Sequence, residues 1–158
     1  MRRQNPDGFS LIELLIVVTI IGIIASIAIP NLLASRRAAN EGSAQQSMRT
    51  ISSCEHAYKY TYGNGDFTDL GTLGTKVLTD GVLSTGTKSG YSFVATAIPG
   101  PPGQYWASAF PVTTSGISQT GTRRFAIAED GVLRGDNNLV AGPPATMAAE
   151  QLMQPLGN

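Results

Sequence analysis

The sequence has little of several residue types that common site chemistries need. Among 158 residues it has one cysteine, one histidine and one tryptophan, and aromatic residues make up 7%. The single cysteine, Cys54, excludes an intramolecular disulfide, and the single histidine, His56, excludes a metal site built from several histidines. On a helix these two side chains would point about 200° apart, so they do not form a Cys–His catalytic pair.

Charge is also scarce, and it is balanced. Lysine and arginine together number 11, aspartate and glutamate also number 11, and charged residues make up 14% of the chain. Without a basic excess the chain lacks the electrostatic footprint of a nucleic-acid-binding protein. The glycine-rich residues 63–66 lack the later Gly-Lys-Ser/Thr of a phosphate-binding loop. We therefore predict that the protein is not an enzyme and does not bind nucleic acid.

What the sequence does contain is a long apolar run near its beginning. Between Leu14 and Ile29 there is no charged side chain, and the apolar stretch as a whole covers residues 9–33. As a helix, these 25 positions would be about 37 Å long at ~1.5 Å per residue, enough to cross a hydrocarbon core of about 30 Å. The run predicts a membrane-spanning helix.

Arginine pairs stand on both sides of this run. Arg2 and Arg3 precede it and favour a cytoplasmic beginning, with the bulk of the chain on the other side of the membrane. Arg36 and Arg37 follow it and weaken that orientation. The residues alone therefore leave the orientation open.

Glu13 is a lone carboxylate near the start of the predicted span. A charge inside a span costs about 2.5 to 3.5 kcal/mol on insertion scales, so it needs a partner or a function. A cleaved secretory signal is disfavoured because its apolar region is typically about 7 to 15 residues long. A plain signal-anchor stays open on hydropathy alone, whereas Glu13 and the glycine before Phe9 favour something more specific.

The residues around Glu13 resemble a known processing signal. The stretch reads Gly8-Phe9-Ser10-Leu11-Ile12-Glu13-Leu14-Leu15-Ile16-Val17. It is similar to the class III signal of type IV pilins and of the pseudopilins of type II secretion systems. The resemblance implies a leader at residues 1–8, cleavage between Gly8 and Phe9 by a prepilin peptidase, and methylation of Phe9. Glu13 and Pro30 match the family's glutamate and proline. The resemblance therefore implies that Glu13 and Pro30, together with Phe9, have a role in assembly.

The resemblance also implies a function, a location and partners. The chain would be a structural subunit of a type IV pilus or pilus-like filament, a homo-oligomer built by an inner-membrane assembly machinery. It would be a single-pass inner-membrane protein before joining a cell-surface pilus. The alternatives are a pseudopilin of a periplasmic type II secretion pseudopilus and, in another class, a monomeric membrane-anchored binding module. In the filament, the new ammonium on Phe9 of one subunit would neutralise Glu13 of its neighbour.

Beyond the span, the sequence predicts an α+β, pilin-like fold. The helix should continue through residues 34–62, because apolar residues recur at steps of three and four as far as Tyr62. Pro30 should bend it. Residues 63–158 then form a globular domain with a loop at 63–90 and an antiparallel sheet of three or four strands packed on the helix. The predicted strands are residues 91–98, 104–112, 123–128 and 132–134, with a short helix possible at 145–154.

Oxygen-bearing residues cluster around the last predicted hairpin. They are Glu129, Asp130, Asp136, Asn137 and Asn138. Oxygen ligands suit calcium. Major pseudopilins hold calcium near the carboxy terminus, so the resemblance implies a calcium site here. The spacing is not that of an EF-hand, and turn residues that bond their own backbone are the favoured explanation of the cluster. We otherwise expect no cofactor.

Overall fold

The structure is a computed structural model that describes residues 8–156, and its two compact units divide between Ser35 and Arg36. We call them the N-terminal unit and the C-terminal unit. Helix α1, Leu11–Thr61, begins in the first and ends in the second, where the sequence predicts helix over residues 9–62. Of the predicted leader at 1–8, all but Gly8 lies outside the described residues.

In the C-terminal unit α1 has one buried face. Its buried residues are Ala44, Ser47, Met48, Ile51, Ser52 and Glu55. Their spacing of three and four residues is the helical period that predicts one apolar stripe, and the stripe packs against the sheet. The stripe ends earlier than predicted, since Tyr58 is half-buried and Tyr62 is 60% exposed.

The end of α1 depends on Gly63. A Cβ built at this position would lie 2.1 Å from the backbone oxygen of Asp66, which no side chain can tolerate. The segment that follows is ordered as predicted: α2 is Leu70–Lys76, and a 3₁₀ turn covers Leu83–Thr85. Asp69 caps α2 by accepting a hydrogen bond of 3.0 Å from the Thr72 amide.

The sheet has five antiparallel strands in sequential order. They are β1 Thr87–Lys88, β2 Tyr91–Ile98, β3 Gln104–Pro111, β4 Arg124–Ala128 and β5 Arg134–Asp136. The α+β fold is confirmed, with two corrections. The two-residue β1 exceeds the predicted number of strands. The last strand begins at Arg134, two residues later than predicted, because residues 129–133 form the connection to it.

The core lies between α1 and the sheet. It includes Met48 and Ile51 from the helix and Tyr91, Tyr105 and Phe125 from the strands. β4 is buried at every position, whereas β2 alternates between buried and exposed side chains. The second face of β4 is covered by the carboxy-terminal segment, which contains α3, Met147–Gln151, within the helix predicted at 145–154.

Candidate functional site

The candidate site is the beginning of α1. Ser10 is the last residue before the helix, and its amide donates a hydrogen bond of 2.9 Å to the Glu13 Oε2. A glutamate three residues after a serine at the N-cap is half of a capping box. Glu13 therefore has a local role within its own chain, which the sequence reading missed although the Ser-x-x-Glu spacing signals it.

Glu13 has no cationic partner among residues 8–156. The ion pairs there involve only Asp80, Asp130, Asp136 and Glu150 as acids. Glu13 itself is exposed, and its neighbours along the helix are apolar. The amide of Ser10 is a neutral donor and leaves the charge of the carboxylate uncompensated. The predicted pairing with an ammonium on Phe9 would supply the compensating positive charge.

The Gly8–Phe9 bond is accessible. Residues 8–10 precede the helix, the Phe9 side chain is 80% exposed, and no atom lies within 4 Å of a Cβ built on Gly8. The bond is therefore not protected by regular structure. While the bond is intact, the Phe9 nitrogen is an amide and carries no positive charge. A pairing between Phe9 and Glu13 consequently requires cleavage first.

The helix after Glu13 satisfies its own polar groups. The Thr19 hydroxyl donates to the Leu15 carbonyl at 2.7 Å, and the Ser26 hydroxyl donates to the Ile23 carbonyl at 2.7 Å. No polar side chain between Leu14 and Ile29 therefore needs water, which suits a hydrocarbon environment. Within the part of the chain that the structure describes, α1 is the one helix long and apolar enough to span a membrane, and its apolar window is not buried at all. Pro30 lies inside it.

Two of the four predicted calcium ligands, Asp130 and Asp136, form ion pairs with arginines. Asp136 forms a two-point ion pair with Arg124, at 2.7 and 2.9 Å, and this pairing holds the pKa of the Asp136 carboxyl below its usual range. Asp130 pairs with Arg134 at 2.5 Å. No cluster of three or more metal-binding side chains occurs within residues 8–156. The calcium site at Glu129, Asp130, Asp136 and Asn137 therefore stays a prediction that the geometry does not favour.

The carboxy-terminal segment is fastened by these same arginines. Arg134 reaches Glu150 of α3 at 2.6 Å, and Glu150 is fully buried. Arg124 donates to the Gly142 carbonyl at 2.7 Å, and the Leu156 amide donates to the Leu133 carbonyl at 2.8 Å. Ion pairs and backbone bonds thus tie down a tail that has no second cysteine with which to form a disulfide.

A second buried acid lies in the C-terminal unit. Glu55 is fully buried on α1, its Oε2 accepts from the Thr68 amide at 3.1 Å, and its Oε1 has no partner among the described residues. Burial raises the pKa of the Glu55 carboxyl to about 7, and the nearby charge of Asp69 adds to the effect. The period of α1 placed Glu55 on the inner face but gave no sign of the missing counter-charge.

The structure thus shows an α+β chain in which the first half of α1 is apolar and exposed and has one acid, Glu13, in its first turn. The family model described as the prokaryotic N-terminal methylation motif matches residues 3–29. Over parts of its length the chain is similar to type IV pilins and to type II secretion pseudopilins.

Curated relatives of both kinds match. The chain is 60% identical over 38 residues to the type IV wide pilus major component PilA4 of Thermus thermophilus, covering 24% of this chain and 29% of the relative. It is 36% identical over 59 residues to type II secretion system core protein G of Klebsiella michiganensis, covering 37% and 42%.

A third relative is the type IV major pilin protein PilA of Myxococcus xanthus, which is 40% identical over 58 residues, 35% of this chain and 26% of the relative. The chain thus spans less than half the length of each of these relatives. No solved structure matches the chain.

Proposed function

We propose that this protein is a structural subunit of a type IV pilus or pilus-like filament, processed after Gly8 and assembled through its N-terminal helices. Two observations support the proposal. Relatives that match part of the chain include a wide pilus major component and a major pilin. In addition, α1 presents large apolar side chains on all sides from Leu11 to Leu32. Lipid covers such a surface before assembly, and helices of other subunits cover it in a filament.

Glu13 is the observation that carries the proposal. It is an acid at the head of an apolar helix, and its single hydrogen bond, from Ser10, is neutral. Cleavage after Gly8 creates an ammonium on Phe9 with a reference pKa of about 7.7 to 8.0. In a bundle of helices, that ammonium on one subunit neutralises Glu13 of another. Breaking such a buried pair costs on the order of 3 to 5 kcal/mol, enough to fix the axial register of subunits.

The proposal includes partners and a location. A prepilin peptidase cleaves the exposed Gly8–Phe9 bond, Phe9 is methylated, and an inner-membrane machinery assembles the filament. The protein waits in the inner membrane as a single-pass protein before it joins a pilus. No enzymatic activity is proposed, because the matched relatives are pilus and secretion-system components.

A pseudopilin is the second candidate. Relatives named type II secretion system core protein G match 59 residues of the chain at 36% and 30% identity in two species. Such a protein would use the same N-terminal helix to form a short periplasmic pseudopilus. A monomeric membrane-anchored binding module is the alternative from another class, and it would need neither cleavage nor assembly.

Two measurements test these candidates. Mass spectrometry of the protein from the native membrane should show an N-terminal methylated Phe9 and no residues 1–8. A chain that keeps residues 1–8 would instead be the monomeric module. Electron microscopy of cells with and without the gene should then show filaments that depend on it. Loss of secreted protein with no change in surface filaments would establish the pseudopilin.

A further inference from the structure

We propose that one end of the C-terminal unit, formed by Arg36, Arg37 and the loop 113–123, docks on anionic phospholipid headgroups. We call this surface the basic foot. It rests on the membrane anchoring in the proposed function but not on assembly. It also accounts for the arginine pair that stands on the unexpected side of the span.

The loop is fastened to the first residues of this unit. The Arg37 guanidinium reaches the Gln119 side-chain oxygen at 3.4 Å, and the Asn40 side chain donates to the Thr120 carbonyl at 2.9 Å. Both the amide and the hydroxyl of Thr122 donate to the Glu41 carboxylate, each at 2.7 Å. The loop therefore stays beside Arg37, next to Arg36 in the chain.

The loop also holds its own shape. The Thr120 amide donates to the Thr113 carbonyl at 3.0 Å, and the Thr113 amide donates to the Thr120 hydroxyl at 3.2 Å. Gly116 takes a positive φ of 80°, which a residue with a side chain rarely adopts. The next residue, Ile117, is 80% exposed. A braced loop thus holds an apolar side chain out into solvent.

The charges at this end favour an anionic surface. Neither Arg36 nor Arg37 forms an ion pair with any carboxylate of residues 8–156. Glu41, one helical turn after Arg37, is occupied by Thr122. Arg36, Arg37 and Arg123 against one bound glutamate leave a net positive charge, and each basic residue near an anionic membrane contributes about 1 kcal/mol of attraction.

Chain position places these arginines at headgroup depth. Arg36 is three residues after Leu33, the last apolar residue of the span, or about 5 Å at ~1.5 Å per residue. The headgroup layer is roughly 5 to 8 Å thick on each side of the hydrocarbon core. The loop is hydrogen-bonded to Arg37, so Ile117 is within reach of the same layer. An exposed isoleucine in a loop bound to a basic side chain suits the boundary of headgroups and acyl chains.

The test uses the full chain in lipid nanodiscs with brominated acyl chains, which quench a nearby indole. In a Trp106→Phe background, Ile117→Trp places the only indole at the foot. Tyr60→Trp is the matched control, because Tyr60 is 83% exposed and about 35 Å along α1 from Arg37. With phosphatidylglycerol in the disc, the indole at position 117 should be quenched and the one at position 60 should not.

Arg36→Gln with Arg37→Gln should lower the ratio of docked to undocked protein about thirtyfold, because two attractions of about 1 kcal/mol are lost. Discs of phosphatidylcholine alone, or high salt, should act in the same direction. Quenching at 117 that equals quenching at 60, or that ignores the arginines, would overturn the proposal. The proposal would also be overturned if the indole at position 117 became shielded from solvent only when filaments form. In that case a second copy of the chain, and not lipid, would cover the basic foot. If the indole at position 117 is quenched in a protein that keeps residues 1–8 in its native membrane, the result would contradict the filament proposal but not the docking of the basic foot.

Discussion

The two parts of α1 differ in what covers them. From Leu11 to Ser35 every residue is exposed except Ala25 and Leu33, which are half-buried. From Arg36 to Thr61 the same continuous helix buries six residues in one stripe. Both parts have helical propensity and apolar side chains. They differ in the arrangement of those side chains. The first part is apolar on all sides, whereas in the second part apolar residues form one stripe and polar residues occupy the other positions.

This difference separates folding from assembly. The C-terminal unit closes its own core with side chains of the helix, the loop and the sheet. Residues 8–35 of the N-terminal unit have no such core, so their apolar surface requires lipid or other helices. Substitutions in the C-terminal unit should therefore change the stability of the monomer. Substitutions in the N-terminal unit should change only insertion or assembly. The following predictions test that separation.

The largest effect on stability is expected for Arg134→Ala. It leaves the buried Glu150 carboxylate without its counter-charge, so unfolding should become easier by about 3 to 5 kcal/mol. Urea unfolding of the protein in detergent, followed by Trp106 fluorescence, measures the loss. Arg49→Ala is the control, because Arg49 is exposed and should change stability by less than about 0.5 kcal/mol. Equal effects would contradict the proposed fastening of the tail.

An isoleucine from each part of α1 gives the sharpest matched pair. Ile51 is fully buried and Ile24 is 60% exposed. Ile51→Ala should destabilise the monomer by about 2 to 5 kcal/mol, because it leaves a cavity, and Ile24→Ala should leave the same urea transition unchanged. A comparable loss for Ile24→Ala would show that the first part of the helix packs within its own chain.

Glu55 should make stability depend on pH. Its pKa is about 7 in the folded chain and near 4.5 when unfolded, so folding favours the protonated form. The Glu55 contribution to stability should be largest below about pH 4.5, fall as the pH rises towards 7, and level off above it, by about 3 kcal/mol in total. Glu55→Gln cannot ionise and should lack this component. A fall of the same size in both proteins would exclude Glu55 as its cause.

Calcium should have the smallest effect. A cation at residues 129–137 would have to displace Arg124 from Asp136 and Arg134 from Asp130. We therefore expect the melting temperature to move by less than about 1 °C between calcium and chelator, well under the 4 to 8 °C that corresponds to 1 kcal/mol in a small domain. A clear rise with calcium would instead support the metal site.

The sequence predicted the parts of the protein that depend on local pattern. The span, the stop near Gly63, the helical loop and the three longer strands follow from hydropathy, glycine and period. The processing motif around Glu13 is also local, as is the capping box that the motif contains. The start of the last strand was misplaced because Leu133, predicted to lie in it, belongs to the connection and accepts a hydrogen bond from Leu156 of the tail, which is distant in sequence.

The fastening of the tail could not be predicted for the same reason. Arg134 and Glu150 are 16 residues apart, and nothing in either neighbourhood indicates that they meet. The pairing of Arg124 with Asp136 likewise depends on the register of two strands. The oxygen-rich cluster suggested calcium because composition does not show that Arg124, from the neighbouring strand, and Arg134, within the cluster, pair with its aspartates. Composition therefore left open whether these acids bind calcium or pair with arginines, and the tertiary structure shows that Asp130 and Asp136 pair with arginines.

The most direct test of the account compares two substitutions of Glu13 for assembly. Glu13→Gln keeps an oxygen that accepts from the Ser10 amide but removes the charge, whereas Glu13→Ala removes both. Filaments per cell are counted by electron microscopy at matched levels of cleaved protein. If Glu13 neutralises the Phe9 ammonium of a neighbouring subunit, both variants should lose filaments. Normal filaments with Glu13→Gln would show that only the local cap matters and would contradict the account.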